Sequence, residues 1–351
     1  MNAIAGAEEP ILITGSTGFL GSRVVSRLLA RGFRNIRCFA RPGSRIDHLE
    51  QLESQYDGTR LEIVRGNLLS PADCDKASRD VVVVYHLAAG TGEKSFADAF
   101  MNSVVTTRNL LDAVLRYGAL KRFVNVSSFA VYTNRDKSRR EVLDESCPVE
   151  PDPRIRGEAY CYAKVKQDEL VMEYGRKHAV PYVIVRPGVV YGPGSTGISG
   201  RVGSGAFGLF LHLGGSNVIP LTYVDNCADA IVLAGIRPGI DGEVLNVVDD
   251  DLPTSRRFLR LYKRHVRSFA SVPVPRAASY ALCALWERYS RWSHEQLPPV
   301  FNRYAWNAYW KGSLYSNAKA KRLLGWAPDV TTDEGLRRYF ESCRQRGRHV
   351  A

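Results

Sequence analysis

Short runs of β-branched and aliphatic residues alternate with stretches whose apolar positions recur every three or four residues, and the alternation persists through the first 190 positions. The runs at 11–14, 36–40, 81–87 and 123–127 are apolar enough to be covered on both faces, which predicts strands of a buried parallel sheet. A fifth run, 182–186, stops at Pro187. Between them, Val24, Val25, Leu28 and Leu29 fall at helical spacing within 21–31, and Leu110, Leu111, Val114 and Leu115 do so within 102–117. Strands separated by helices in this order predict an α/β fold, a doubly wound parallel sheet of the Rossmann type. After Val190 the texture changes to glycine-rich loops. We therefore expect a dinucleotide-binding domain over 9–190, with a return to the sheet near 222–250, and a smaller C-terminal region, mainly 191–351, that binds the substrate.

Composition narrows this little. Of 351 residues, 45% are hydrophobic and 24% charged, which is ordinary soluble usage and sets aside disordered and fibrous classes. The net charge of +12 favours anionic ligands. Basic residues cluster only near the C-terminus, at Arg337, Arg338, Arg344, Arg346 and Arg348, so a solvated basic helix is expected there rather than a nucleic-acid surface. Seven cysteines with no Cys-x-x-Cys pair point to neither a disulfide framework nor a metal site, and fit a reducing cytoplasm. Met1 to Pro10 has acidic Glu8 and Glu9 and no apolar core, unlike a signal peptide.

The first chemical motif follows the first strand: Thr14-Gly15-Ser16-Thr17-Gly18-Phe19-Leu20-Gly21. Three glycines allow a tight turn and a close backbone approach, and the helix they open offers amide donors and a positive dipole to a pyrophosphate. An NAD site commonly has a carboxylate after the second strand. Here Ala40 and Arg41 stand there, followed by Ser44 and Arg45, so the cofactor expected is NADP in preference to NAD, with Arg41 on the extra phosphate.

The second motif is Tyr160-Cys161-Tyr162-Ala163-Lys164, which places a phenol and an ammonium on one helix face. A phenol titrates near 10, and a neighbouring ammonium brings it towards a useful range for proton transfer. Tyr162 and Lys166 form an overlapping copy. Upstream, Ser127 and Ser128 end a buried strand, where ligands of open parallel sheets bind.

With Ser127-Ser128-Phe129-Ala130-Val131-Tyr132 added, the chain resembles the extended short-chain dehydrogenase/reductases, the NAD-dependent epimerase/dehydratase family, including its 3β-hydroxysteroid dehydrogenase-like and dihydroflavonol reductase-like members. The resemblance implies that Ser128, with Ser127 as second choice, joins Tyr160 and Lys164 in catalysis. It implies cofactor contacts from Gly15, Thr17, Gly18, Phe19, Leu20 and Gly21, and from Asn67 and Leu68 in Gly66-Asn67-Leu68. It extends them to Leu87, Ala88 and Ala89 after His86, to Asn102, to Tyr160 and Lys164, and to Pro187 and Val190 in Arg186-Pro187-Gly188-Val189-Val190-Tyr191. Tyr223-Val224-Asp225-Asn226 and Leu324-Gly325-Trp326-Ala327-Pro328 resemble later landmarks. Asn67 stands where the family usually has Asp. Phe129-Ala130 stands where its sugar dehydratases carry Asp-Glu, so the acid and base of water elimination are missing. Homodimers paired through the Tyr160 helix are also implied.

The substrate is expected to be either a hydrophobic alcohol or ketone, acted on once, or a nucleotide sugar, epimerised by transient oxidation with retained NAD. The stretch 211–223 is short for a sugar-nucleotide loop and Arg41 suits exchangeable NADP, which favours the one-way oxidoreductase. A non-catalytic NADP-binding subunit is the reading of another class, and the intact Ser128, Tyr160 and Lys164 stand against it. Near 277–292 an apolar helix with basic flanks at Arg276, Arg288 and Arg291 is expected to pack as core. A roof over a greasy pocket or peripheral contact with a membrane are the other roles open to it.

Overall fold

The computed structural model describes residues 3–90, 92, 95–195, 197–206, 208–293 and 301–349. Its centre is a seven-stranded sheet. Five strands come from the first half of the chain: β1 (Ile11–Thr14), β2 (Asn35–Ala40), β3 (Arg60–Arg65), β4 (Val83–His86) and β5 (Arg122–Val126). In space the order runs Val244–Val247, Tyr182–Pro187, β5, β4, β1, β2, β3, and every neighbouring pair is parallel. This is the doubly wound sheet expected from the sequence.

The two-residue period of a strand decides which core each side chain joins. Ile11 and Ile13 of β1 point to a core formed with Val24 and Leu28 of α1 (Gly21–Ala30) and with the helix Val224–Ile236. Leu12 points the other way, to Leu110, Leu111, Leu170 and Val171 from the helices Thr106–Tyr117 and Ala159–His178. Helices thus cover both faces.

Two elements differ from the reading of the sequence. β3 was not recognised, because Arg60, Glu62 and Arg65 interrupt its apolar positions; it pairs only with β2 and needs no full burial. His86 consequently ends the fourth strand, not the third. The helix read from Asn102 is preceded by a helical turn at Phe96–Ala99, and Phe100–Val105 winds as a π-helix before the α-helix resumes at Thr106.

After Val190 the chain builds short ribbons outside the main sheet. Val189–Tyr191 pairs with Leu221–Tyr223, and Gly203–Ala206, Leu209–His212 and Ser271–Pro273 form a second small sheet. Tyr191, Leu221, Phe258, Tyr339 and Phe340 supply their own core. Asn226 joins the late landmarks: its amide bonds both N–H and C=O of Val330, and its carbonyl accepts from Trp326 Nε1 at 3.1 Å. All seven cysteines are free thiols. No helix among the described residues is long and apolar enough to cross a membrane.

Candidate active site

The C-terminal ends of β1, β2, β4, β5 and Tyr182–Pro187 open into one cavity of about 720 Å³. At one end lies the glycine turn. Gly15 has φ +72°, and a Cβ there would sit 3.0 Å from Ala88 N. A Cβ on Gly21 would lie 2.0 Å from the Gly15 carbonyl, so the first turn of α1 abuts the loop with no room for a side chain. Leu20, at the start of α1, makes no side-chain cap, and the amides of Ser22 and Arg23 in the first turn donate to the Gly18 and Leu20 carbonyls of the same loop. This geometry fits a dinucleotide phosphate.

Gly15, Thr17, Gly18, Phe19, Leu20, Gly21, Arg41, Asn67, Leu68, Leu87, Ala88, Ala89, Asn102, Ser128, Tyr160, Lys164, Pro187 and Val190 all line this cavity. Phe39, Ser44, Gly90, Thr106, Val126, Ser127 and Gly188 line it as well. Of these, Phe39 and Val126 sit at C-terminal strand ends, where the general rule for open sheets would have found them. No Asp or Glu lines it among the described residues. Arg41 is exposed at the rim, and among the described residues its guanidinium has no ion-pair or hydrogen-bond partner. Its loop is held from beneath by Arg65, which donates to the carbonyls of Pro42 and Ser44. Asn67 Oδ1 already accepts from Leu69 N at 3.0 Å.

At the other end the two serines separate. Ser127 Oγ donates to Asp168 at 2.9 Å, and Asp168 is also ion-paired with Arg186, a buried structural group. Ser128 hydrogen-bonds Tyr160. Burial raises the Tyr160 phenol above its ordinary value, and the Ser128 bond pulls it part of the way back. The expected lowering by Lys164 is not present here: the ammonium is turned to Val126 O at 2.7 Å and Gln167 Oε1 at 2.9 Å. Burial lowers Lys164 itself to about 8.

His86 does not line the cavity. It is buried, with Nδ1 2.8 Å from Thr14 Oγ1 and Nε2 2.8 Å from Thr107 Oγ1. Thr107 donates its own proton to Ser103 O at 2.6 Å and accepts from Gln167 Nε2 at 2.8 Å. The Thr107 oxygen is left to accept from His86, so the proton sits on Nε2 and Thr14 donates to Nδ1. A continuous line therefore runs from Lys164 through Gln167, Thr107 and His86 to Thr14, the residue before the glycine turn. Asp225, another landmark residue, pairs with Arg23 at 3.6 Å, outside the cavity.

A model of the NAD dependent epimerase/dehydratase family matches residues 11–247. The chain belongs to that family. Enzymes of this family move a hydride between a nicotinamide cofactor and a hydroxyl- or keto-bearing carbon, and this chain is one of them. At 27% identity over 257 residues it is similar to a trifunctional UDP-glucose 4,6-dehydratase/UDP-4-keto-6-deoxy-D-glucose 3,5-epimerase/UDP-4-keto-L-rhamnose-reductase of Arabidopsis thaliana. That match covers 68% of this chain and 36% of the plant protein, so the chain spans about a third of that relative's length. It is 23% identical to the 2-alkyl-3-oxoalkanoate reductase of Shewanella oneidensis over 96% of this chain and 87% of that protein. Among solved structures it matches gox2253 with a TM-score of 0.78 at 24% identity, covering 97% and 99% of the two chains. It also matches the UDP-glucuronic acid 4-epimerase of Bacillus cereus in complex with UDP-glucuronic acid and NAD, with a TM-score of 0.71 at 22% identity, covering 96% and 99%. These structural matches share the family's fold.

Burial lowers the His86 imidazole to about 3. Between that value and its unfolded value near 6.5, the unfolded chain binds a proton that the folded chain refuses, so this group removes stability as pH falls through that window. In denaturant titrations we expect His86→Asn to be less stable than the parent at pH 7. We also expect the variant's acid slope between pH 6.5 and 4 to be shallower, by up to about 1.4 kcal/mol per pH unit. Parallel slopes would show that His86 is charged in the fold.

Proposed function

We propose that this family member is an NADP-dependent reductase that converts a keto group on a small, largely apolar molecule to a hydroxyl. The observation that carries the reading is one cavity with the glycine turn and Arg41 at one end and Ser128, Tyr160 and Lys164 at the other, with no carboxylate among the described residues that line it.

When bound, NADPH supplies the hydride. Gly15, Thr17, Gly18, Phe19, Leu20 and Gly21 hold its pyrophosphate on backbone amides. Asn67 and Leu68 flank the adenine. Arg41, with Ser44, meets the 2'-phosphate, which a carboxylate in this position would repel. Leu87, Ala88, Ala89 and Asn102 form the wall, and Pro187 and Val190 close the nicotinamide end. Lys164 has two of its three N–H donors engaged, which leaves one for the cofactor ribose.

Tyr160 is the proton donor. A phenol raised above its ordinary value stays protonated at neutral pH, which suits delivery of a proton to the oxygen of a carbonyl under reduction. Ser128 bonds that same oxygen and orients it. Phe129 is buried and stacked on Tyr315, so this position offers no acid or base for water elimination. The substrate side is apolar. A second cavity of about 160 Å³ shares Val190 with the first and is lined by Val189, Tyr191, Ile198, Leu221, Phe258 and Tyr339 among others, with no Lys or Arg among the described residues that line it to hold a diphosphate. The alkyl-oxoalkanoate reductases that align along nearly the whole chain support the same class. The homodimer paired through the Ala159–His178 helix belongs to this reading.

Arg41→Ala should weaken NADPH about 10- to 100-fold in a binding titration and leave NADH within about twofold, from the loss of a charge-assisted pair. Equal loss for both would remove Arg41 from the phosphate. Tyr160→Phe should lower kcat for reduction of a medium-chain 2-alkyl-3-oxoalkanoic acid by about 10²- to 10⁴-fold with NADPH binding kept. The parent's rate should be level below pH 8 and fall above it as the Lys164 ammonium, lowered to about 8, loses its proton. Conversion of a UDP-hexose to its epimer with tightly retained NAD and no net cofactor consumption would overturn the reductase.

A further inference from the structure

The helix Arg276–Trp292 reverses the usual arrangement of an amphipathic surface helix. Its inward face is small and polar: Ser279, Cys283 and Ser290 are buried, and Ser279 Oγ accepts from Trp306 Nε1 at 2.9 Å. Glu287 is tied to Arg303 at 2.9 Å and Arg276 donates to Lys311 O at 3.0 Å, so polar contacts fix which face points in. The outward face carries the large apolar side chains. Leu282 is 60% exposed, Leu285 63%, Tyr289 47% and Trp292 75%. Their spacing of three, four and three residues puts them on one stripe, which Ala278 and Ala281 continue. The expectation that this helix packs as core is therefore corrected: its large side chains do not enter the core. Among the described residues, seven of the twelve large hydrophobics that are exposed lie between Val272 and Phe301. A patch of this kind marks a binding surface.

Charge identifies what it meets. Basic residues concentrate here as well as near the C-terminus, which corrects the expectation of a single cluster: between Ser255 and Ser293 there are nine Lys and Arg residues and a single acid, Glu287, so this segment carries +8 of the chain's +12. Arg288 flanks the apolar stripe directly and Arg291 lies beyond it on the same side, both exposed. The basic helix Ser255–His265 is joined to the strand leading into the stripe by Lys263, which donates to Ser271 Oγ at 2.6 Å. Two copies placed stripe to stripe would oppose two such segments, which like-charge repulsion disfavours. A helix of 17 residues spans about 25 Å at 1.5 Å per residue, a length suited to lying in an interface and too short to cross a bilayer. Aromatic side chains beside arginines suit the headgroup level.

We propose that this face docks on an anionic phospholipid surface, with Leu282, Leu285, Tyr289 and Trp292 entering the headgroup boundary and the surrounding Lys and Arg residues meeting lipid phosphates. The proposal is independent of the reaction assigned above.

The test uses the full chain and sedimentation with vesicles of phosphatidylcholine alone or of equal parts phosphatidylcholine and phosphatidylserine. We expect binding to the mixed vesicles, about tenfold or more above the neutral ones, weakened by high salt. The double variant Leu285→Glu/Trp292→Glu should lose that binding by about tenfold or more while its unfolding temperature and NADPH binding stay those of the parent. Equal binding to both vesicle types, or to neither, overturns the proposal. A dimer of the parent that the double variant splits overturns it as well and makes the stripe a contact between copies. A variant that fails to fold is replaced by Leu282→Gln/Leu285→Gln, judged by the same outcomes.

Discussion

A buried line of hydrogen bonds, from Lys164 through Gln167, Thr107 and His86 to Thr14, holds the two ends of the cavity in register. Each hydrogen bond in the line can run in one direction only, and inside a protein such a network is stiff because breaking any member strands a buried polar group. The phosphate end of the cavity depends on Gly15 and Gly21 approaching within the width of a missing side chain. The reacting end depends on where the Lys164 ammonium points. Because Thr14 immediately precedes Gly15, the line ties these two requirements to each other through β4 and the two helices that cover it.

That arrangement bears on direction as well as on position. The ammonium is engaged by Val126 and Gln167 and leaves the phenol's acidity to burial and to Ser128. A phenol kept protonated is an acid, and together with a described lining that holds no carboxylate and a guanidinium at its rim, it is the basis of the reductase reading proposed above. The second cavity and the outward apolar helix belong to the C-terminal half, where the chain adds short ribbons outside the main sheet.

The parallel sheet was legible because buried strands such as 11–14 and 123–127 must be apolar on both faces, and the glycine turn because only glycine tolerates its contacts. β3 was not, since an edge strand keeps Arg60, Glu62 and Arg65 in solvent. Residues grouped as lining the cavity were legible from strand ends and from family motifs taken together. The line through Gln167 and Thr107 was not, because neither residue has a pattern at short spacing: their partners lie 60 residues apart in sequence and meet only when the helices pack. The choice between Ser127 and Ser128 needed the position of Asp168. The helix at 276–292 misled because hydrophobic periodicity reports that a face is apolar, not which way it is turned.

The most direct test of the buried line is the pH profile of Gln167→Met beside the parent, read with NADPH affinity on the same samples. Removing the acceptor from a buried ammonium disfavours its charge, so the alkaline fall in reduction should move below pH 8 and NADPH should bind more weakly. An unchanged fall near pH 8 with unchanged affinity would contradict the claim that this line positions Lys164.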